Sequence, residues 1–265
     1  MKKFIKSNWF KISILLILII SISAAFLLYS QKSSLKNVKV TSTFAKDGNI
    51  FIEYENGKEK QVTFSGLDDQ PSLSSDLKQI VFLRNIPGKV YTKDLLSENP
   101  NSLNLPGLVG NDENGDFLIL KQIFLLDINN LSEKKIFESG IIKDKYIKNG
   151  NDFTSTSNIV SGLNNPIFSV DNNKIYFSSV AWATSRAIFS LDINTGQLSY
   201  ITDGNTLNII TDNKYPNDIL VLKHKYYKDT YGSYDHYFVV DPDGKEIKDV
   251  GDYDKTPEEI MSNLK

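Results

Sequence analysis

The stretch His224-Lys225-Tyr226-Tyr227-Lys228-Asp229-Thr230-Tyr231-Gly232-Ser233-Tyr234-Asp235-His236 is the chemically densest in the chain. It carries both histidines of the protein and four tyrosines, around a hairpin tip expected at Thr230 to Ser233. Tyrosines beside a turn offer the rigid amphipathic area common at binding surfaces. Tyrosines alternating along an antiparallel pair also pack across strands, and both readings stand. The spacing of the two histidines across a hairpin is not fixed by the sequence, so no metal site is assigned. Trp182 sits at the expected tip of Ser179-Val180-Ala181-Trp182-Ala183-Thr184-Ser185, either lining a face of the fold or tucked under a neighbouring element. Trp182, Tyr231 and Tyr234 are the expected partner-contact residues.

Acidic side chains recur at the ends of apolar runs: Asp47, Asp76, Asp127, Asp171, Asp192 and Asp241. Such residues could ligate a cation, but an aspartate in a tight turn bonds its own backbone two residues on, and they are assigned as turn formers. The loop Asn111-Asp112-Glu113-Asn114-Gly115-Asp116 has oxygen ligands at 112, 114 and 116. It lacks the sixth-position Gly and twelfth-position Glu of a calcium loop and reads as a solvated turn. No G-x-S-x-G elbow, phosphate loop, HExxH or dinucleotide glycine pattern occurs. No catalytic residue, cofactor or metal is therefore expected.

Composition narrows the classes further. There is no cysteine, which removes disulfides, thiolate metal sites and a lipid-modified N-terminal Cys. Lys2, Lys3, Lys6 and Lys11 are the only charged side chains before residue 32, so of 30 basic residues 26 remain against 32 acidic ones beyond it, a net of about −6. An acidic body with only two arginines, Arg84 and Arg186, argues against nucleic acid as partner.

The chain begins with a basic segment, 1–11, and an uncharged apolar run from Ile12 to Tyr29. Eighteen residues at a rise of roughly 1.5 Å cover about 27 Å, close to the hydrocarbon thickness of a bilayer. Trp9, Phe10 and Tyr29 fall where an aromatic belt would lie, and the lysines place the N-terminus in the cytoplasm. The run predicts a single-pass signal anchor over 12–29, a polar linker over 30–37 and an extracytoplasmic body. The other reading is a cleaved signal peptide at Ser23-Ala24-Ala25, where Phe26-Leu27-Leu28 continue the apolar run past the small residues.

These residues need elements to position them, and beyond residue 37 the hydrophobic period is two. Runs such as Ile50-Phe51-Ile52-Glu53-Tyr54 and Lys174-Ile175-Tyr176-Phe177 are β-branched and aromatic, bounded by Asp, Asn and Gly. One helix is expected at the end, within 253–265, where Thr256-Pro257-Glu258-Glu259 gives an N-cap, a first-turn proline and acids. Two phrases repeat. SGLDDQPSLSSDLKQIVF at 65–82 returns as SGLNNPIFSVDNNKIYF at 161–177, with a shorter version at 44–52 and a worn one near 211–213. The second phrase, a strand ending in Asp, a turn and a partner strand, occurs at 123–140, 188–204 and 237–251. Joined, they make a four-stranded antiparallel meander.

The segments Leu73-Ser74-Ser75-Asp76-Leu77-Lys78-Gln79-Ile80-Val81-Phe82 and Phe168-Ser169-Val170-Asp171-Asn172-Asn173-Lys174-Ile175-Tyr176-Phe177 match in step the phrase of TolB-type β-propeller repeats, tryptophan-serine-proline-aspartate-glycine-lysine-x-isoleucine-alanine-phenylalanine. Asp68-Asp69-Gln70-Pro71 and Asn164-Asn165-Pro166 upstream fit the same pattern, as do Val62-Thr63 and Ile201-Thr202. The chain thus resembles that family over about half of the body. It departs at Leu77, where the family has glycine, at the missing proline before each Asp, and through residues 85 to 160. The resemblance implies an all-β, propeller-like array over 38–252. Some relatives carry a hydrolase domain after the ring, for which no room follows residue 252. At about 40 to 45 residues per repeat, four to five blades fit, as a small ring or an open one whose edges need a cover. The function expected is a membrane-anchored binding or scaffold module for a protein or envelope component. The alternatives are an envelope hydrolase acting on glycans or peptides, and a self-associating structural component.

Overall fold

The structure is a computed structural model and describes residues 38–91, 110–118, 120–141, 147–148, 159–181, 185–211, 214–252 and 254–264. The expected anchor and linker and Trp182 lie outside the described residues. Among those residues no helix is long and apolar enough to cross a membrane.

The elements are β1 (Val40–Lys46), β2 (Asn49–Tyr54), β3 (Glu59–Gln61), β4 (Asp68–Leu73), β5 (Gln79–Asn85), β6 (Val90–Tyr91), β7 (Gly110–Asp112), β8 (Gly115–Leu118), β9 (Lys121–Asp127), β10 (Glu133–Glu138), β11 (Gly140–Ile141), β12 (Ile147–Lys148), β13 (Ile159–Val160), β14 (Asn164–Phe168), β15 (Lys174–Val180), β16 (Arg186–Asp192), β17 (Leu198–Asp203), β18 (Thr206–Ile209), β19 (Ile219–Tyr226), β20 (Ser233–Val240), β21 (Glu246–Asp252) and α1 (Pro257–Ser262). Residues 38–41 with 53–58 belong to one compact unit and the rest to another. In the small unit Thr41 Oγ1 donates to the Glu53 carbonyl at 3.2 Å.

The larger unit is built from antiparallel meanders. The strand orders are β1-β2-β3, β10-β9-β5-β4, β12-β17-β16-β15-β14 and β18-β19-β20-β21. Three of these contain the expected four-stranded blade. The first has three strands, and the third gains a fifth, β12, which pairs parallel to β17 through Ile147↔Ser199 and Lys148↔Tyr200. That parallel addition was not expected from a meander. Two small sheets, β6-β8-β7 and β11-β13, complete the set. The first lies in the sequence between the second and third strands of a blade, β5 and β9, which is why residues 85 to 160 obscure the repeat.

Burial follows the two faces of each sheet. Val81, Leu83, Ile123 and Leu125 on one face of the second sheet pack with Phe168, Ile175, Phe177 and Phe189 of the next. The opposite face of that sheet sends Tyr176, Ile188 and Ile201 against Ile219, Val221, Phe238 and Val240 of the last. Each strand therefore alternates its apolar residues between two neighbours, as face-to-face sheets require. The remaining face of the last sheet is covered by the helix. Ile260 and Leu264 pack on Leu220, Tyr237 and Val239. The helix starts as the sequence predicts, with a capping box in which Thr256 accepts from the Glu259 N–H and the Glu259 side chain accepts from the Thr256 N–H.

The repeated phrase folds twice into the same turn. Ser74 N–H donates to the Gln79 carbonyl and Ser169 N–H to that of Lys174, both at 2.9 Å. Ser74 Oγ reaches Asp76 Oδ1 at 2.7 Å and Ser169 Oγ reaches Asp171 Oδ1 at 2.6 Å. Leu77 and Asn172 hold the same left-handed position, φ 60° and 58°. The missing glycine at 77 thus leaves the turn type intact and puts leucine where an L side chain is strained by about 1–2 kcal/mol. Upstream, both copies break register at one place, with Gln70 and Asn165 at φ 49° and 52°. The two turns also touch, as Ser75 N–H donates to Asn172 Oδ1 at 3.0 Å.

The last sheet docks on its neighbour through a glycine. At Gly244, φ 90°, an added Cβ would stand 2.1 Å from the Ile201 carbonyl oxygen, whereas at Gly196, φ 70°, it would meet nothing within 4 Å. Gly196→Ala should cost about 1 kcal/mol in urea unfolding, the left-handed penalty alone. Gly244→Ala should cost about 2–4 kcal/mol, because a backbone atom must also move. Equal losses would contradict this packing.

Candidate functional site

Strands β19 and β20 pair over eight residues from Ile219↔Val240 to Tyr226↔Ser233 and place the sequence's densest stretch at one end of the last sheet. The apolar half, Ile219-Leu220-Val221 with Phe238-Val239-Val240, is buried, and the pair becomes progressively exposed toward the tip. Tyr231 is fully exposed, Tyr226 is 67% exposed and Tyr227 52%. Tyr234 is only half-buried, held between the Tyr227 ring at 5.0 Å and the His236 ring at 4.6 Å. Of the expected contact residues, Tyr231 is free surface and Tyr234 serves partly as cross-strand packing. Trp182 lies outside the described residues.

The two histidines do not meet. His224 Nδ1 lies 2.9 Å from Asp235 Oδ1 on one face, and His236 Nδ1 lies 3.0 Å from Asp249 Oδ2 on the other. Successive residues of a strand point to opposite faces, so Lys223↔His236 and His224↔Asp235 are adjacent pairs on opposite sides. Among the described residues no three metal-binding side chains converge.

The turn aspartates hold backbone. Asp127 Oδ1 accepts from Asn129 N–H, Asp192 Oδ1 from Asn194 and Thr195, and Asp241 Oδ1 from Asp243 and Lys245, all between 2.8 and 3.0 Å. Asp171 Oδ1 accepts from Asn173 N–H at 3.1 Å and Asp76 Oδ1 from Lys78 N–H at 3.2 Å. Asp47 supplies a left-handed residue, φ 51°, at the first hairpin. The loop at 111–116 is the β7–β8 turn, where Asp112 is occupied by Lys89 Nζ at 2.6 Å and Asn114 N–H at 2.9 Å.

Two features were not foreseen. The first is Lys223, 2% exposed, whose Nζ lies 2.6 Å from Thr202 Oγ1, 2.6 Å from Glu246 Oε1 and 2.8 Å from Asp203 Oδ1. Burial pushes the Glu246 carboxyl upward, but hydrogen bonds from Lys223 and Lys225 outweigh it and leave it below the usual range. These groups line an outer cleft of about 560 Å³ and tie the third sheet to the fourth. The sequence signal was present: Lys223 falls in step with Ile219 and Val221 on the buried face of β19.

The second is a cleft of about 420 Å³ where β4, β14 and β18 come together, lined by Gln70, Asn164, Asn165, Ser178, Asn205 and Thr206 among others. Asn165 N–H donates to Gln70 Oε1 at 2.6 Å, and Asn165 Nδ2 to the Leu207 carbonyl at 2.8 Å, so one amide ties the three strands together. It is the amide of the repeated phrase, read in the sequence only as part of a turn.

No protein-family model matches the sequence, and no curated protein matches it. Among solved structures, the chain is similar to dipeptidyl peptidase 4 of Porphyromonas gingivalis, at 12% identity and a TM-score of 0.44 over 79% of this chain and 30% of that one. It is similar to the β-propeller domain of the trilobed protease from Pyrococcus furiosus, at 12% identity and a TM-score of 0.43 over 81% of this chain and 58% of that one. TolB from Acinetobacter baumannii follows at 16% identity and a TM-score of 0.30, over 75% and 47%. The chain thus spans from under a third to somewhat over half of these proteins. The propeller-like character of the fold is carried by the strand orders and registers above, and the similarities add no chemistry.

The Ser–Asp turns have a pH signature. The hydrogen bonds from Ser74 and Ser169 come first among the causes that hold the Asp76 and Asp171 carboxyls below the ordinary 3.8. A depressed folded-state value gives stability that is present above the unfolded value and lost as pH falls through the folded one. Urea unfolding should show the chain losing stability below about pH 4, with a shallower loss in Asp171→Asn. An identical acid limb in that variant would contradict the role of the turn.

Proposed function

We propose that the chain is a membrane-tethered, extracytoplasmic binding module whose propeller-like body presents the β19–β20 tip to a protein or cell-envelope partner. The observation that carries this reading is the exposure of Tyr226, Tyr227 and Tyr231 together at the end of one ribbon. Tyr226 stands beside His224 on one face and Tyr227 beside Tyr234 on the other, so the tip presents exposed aromatic area on both sides, while single exposed apolar residues are ordinary. The ribbon's base is clamped between the third sheet and the helix, so the tyrosines sit on a rigid support and little order is lost on binding. The Lys-rich start and the apolar run at 12–29 support the tether and the orientation.

Asp203 and Glu246 converge in one cleft, as a hydrolase would need, yet both are engaged by Lys223 at 2.6 to 2.8 Å. Paired in this way they lock two sheets together and are held as counter-ions of Lys223.

Two measurements test the reading. In membrane fractionation the full chain should sediment with the membrane, and deletion of residues 1–30 should release it. Release of the intact chain would contradict the tether. With a photo-cross-linking residue at 231 in the full chain, in its native envelope, a discrete adduct should form that is absent when the residue is placed at exposed Asn194, and should fall at least tenfold with Tyr226→Ser and Tyr227→Ser. Equal adducts from positions 231 and 194 would contradict a partner surface at the tip.

A further inference from the structure

Three strands end their sheets at one place. In the sheet orders β4, β14 and β18 are each terminal, so one main-chain edge of each has no strand partner among the described residues, and all three contribute to the lining of the cleft of about 420 Å³. Two of these strands also bend there in the same way. β4 breaks register between Asp69 and Ser72, β14 between Asn164 and Ile167, and Gln70 and Asn165 stand at φ 49° and 52°. Asparagine tolerates the left-handed region, whereas glutamine is strained in it. Bulges of this kind re-aim side chains, and both amides line the cleft.

Part of this lining holds the strands together. The main-chain N–H and the Nδ2 of Asn165 are committed to Gln70 Oε1 and to the Leu207 carbonyl. Ser178 Oγ accepts from Arg186 Nε at 2.8 Å and Asn205 Oδ1 from the Arg186 main-chain N–H at 3.1 Å, which fixes two lining side chains from outside the cleft. Other groups are left over. Among the described residues the Asn164 side-chain amide, Gln70 Nε2, Asn165 Oδ1 and the Thr206 hydroxyl make no hydrogen bond. They bring donors and acceptors together in one hollow. No lining side chain carries a charge, and Pro71 and Leu207 supply the apolar surface.

We propose that this cleft binds a neutral saccharide of one or two rings. A sugar hydroxyl donates and accepts at once, so two on adjacent carbons match the free amide of Asn164, one donating to Oδ1 and the other accepting from Nδ2. Gln70 Nε2, Asn165 Oδ1 and the Thr206 hydroxyl meet further hydroxyls, and the C–H face of the ring covers Pro71 and Leu207. An ion is disfavoured, because its charge would give up water and find no opposite charge in the lining. An extended peptide, the other neutral ligand with paired donors and acceptors, would add to a sheet edge as a strand. The register breaks at Gln70 and Asn165, each followed by a proline without an N–H, interrupt two of the three edges. The volume falls within the range of small-molecule sites. This site is independent of the tyrosine tip.

The test is saturation-transfer NMR on the full chain in a polyoxyethylene detergent, which carries no sugar. The probes are cellobiose, N,N′-diacetylchitobiose, cellobiouronate and the blocked dipeptide N-acetyl-alanyl-alaninamide. At least one of the two neutral disaccharides should bind saturably, and the uronate and the dipeptide should each bind at least about threefold more weakly than it does. Asn164→Ala and Thr206→Val should each weaken its apparent Kd by about threefold to tenfold, as expected for the loss of a neutral hydrogen bond. Asn194→Ala, outside the cleft, should leave it unchanged. Neither Asn164 nor Thr206 has a side-chain partner to lose in the free protein, and if one variant does not fold the other decides. No saturable binding of either neutral disaccharide, binding of the uronate or the dipeptide as tight as that of the sugar, or an unchanged Kd in the folded variants would each overturn the proposal.

Discussion

The body of this protein depends on a serine and an aspartate two residues apart that close a left-handed turn. In the turn the Ser hydroxyl donates to the Asp carboxylate and accepts from the N–H that begins the next strand, at 2.9 Å from both Gln79 and Lys174. The side chains thereby satisfy backbone groups that a sheet edge would leave exposed, and they fix where the returning strand starts. A slip of one residue would exchange Val81 with Phe82, or Tyr176 with Phe177, between two different cores. The turn therefore decides which neighbour each aromatic ring joins.

Once register is set, the stack follows from alternation. Each sheet is apolar on both faces and must find two covers. The second and third sheets cover each other, the third and fourth do likewise, and the outer face of the fourth is closed by α1 through Ile260 and Leu264. Two cations are paired locally: Lys223 with Asp203 and Glu246 between the third and fourth sheets, and Arg84 with Asp68 and Glu133 across three strands of the second. Such clusters are costly to break, and the one at Lys223 fixes how two sheets sit on one another.

Local chemistry was legible in the sequence and long-range chemistry was not. The echo of SGLDDQPSLSSDLKQIVF predicts two equivalent hairpins, and Ser74 and Ser169 occupy matching places. Thr256 with Glu259 predicts the helix start, which depends on residues three apart. The parallel pairing of β12 with β17 has no local signature, because nothing around Ile147 names Ser199 as its partner. The insertion carrying β6, β7 and β8 hides the repeat for the same reason: it parts two paired strands by the 35 residues between Asn85 and Lys121. The candidate sites divide likewise. The exposed tyrosines sit in or beside the six-residue loop 227–232 between two paired strands, whereas the cleft where β4, β14 and β18 meet needs Gln70, Asn164 and Thr206 brought from three separate sheets.

The account rests on Leu77 and Asn172 being one structural position, occupied once by a strained residue and once by a tolerant one, at φ 60° and 58°. The most direct measurement is the unfolding free energy of Leu77→Asn in the full chain. Asparagine tolerates the left-handed region and leaves the hydrogen bonds of Ser74 and Asp76 in place, so stability should rise by about 1 kcal/mol with an unchanged m-value. A loss of stability, or a changed m-value, would show that residue 77 does not occupy the turn position described, and the equivalence of the two sheets would fail with it.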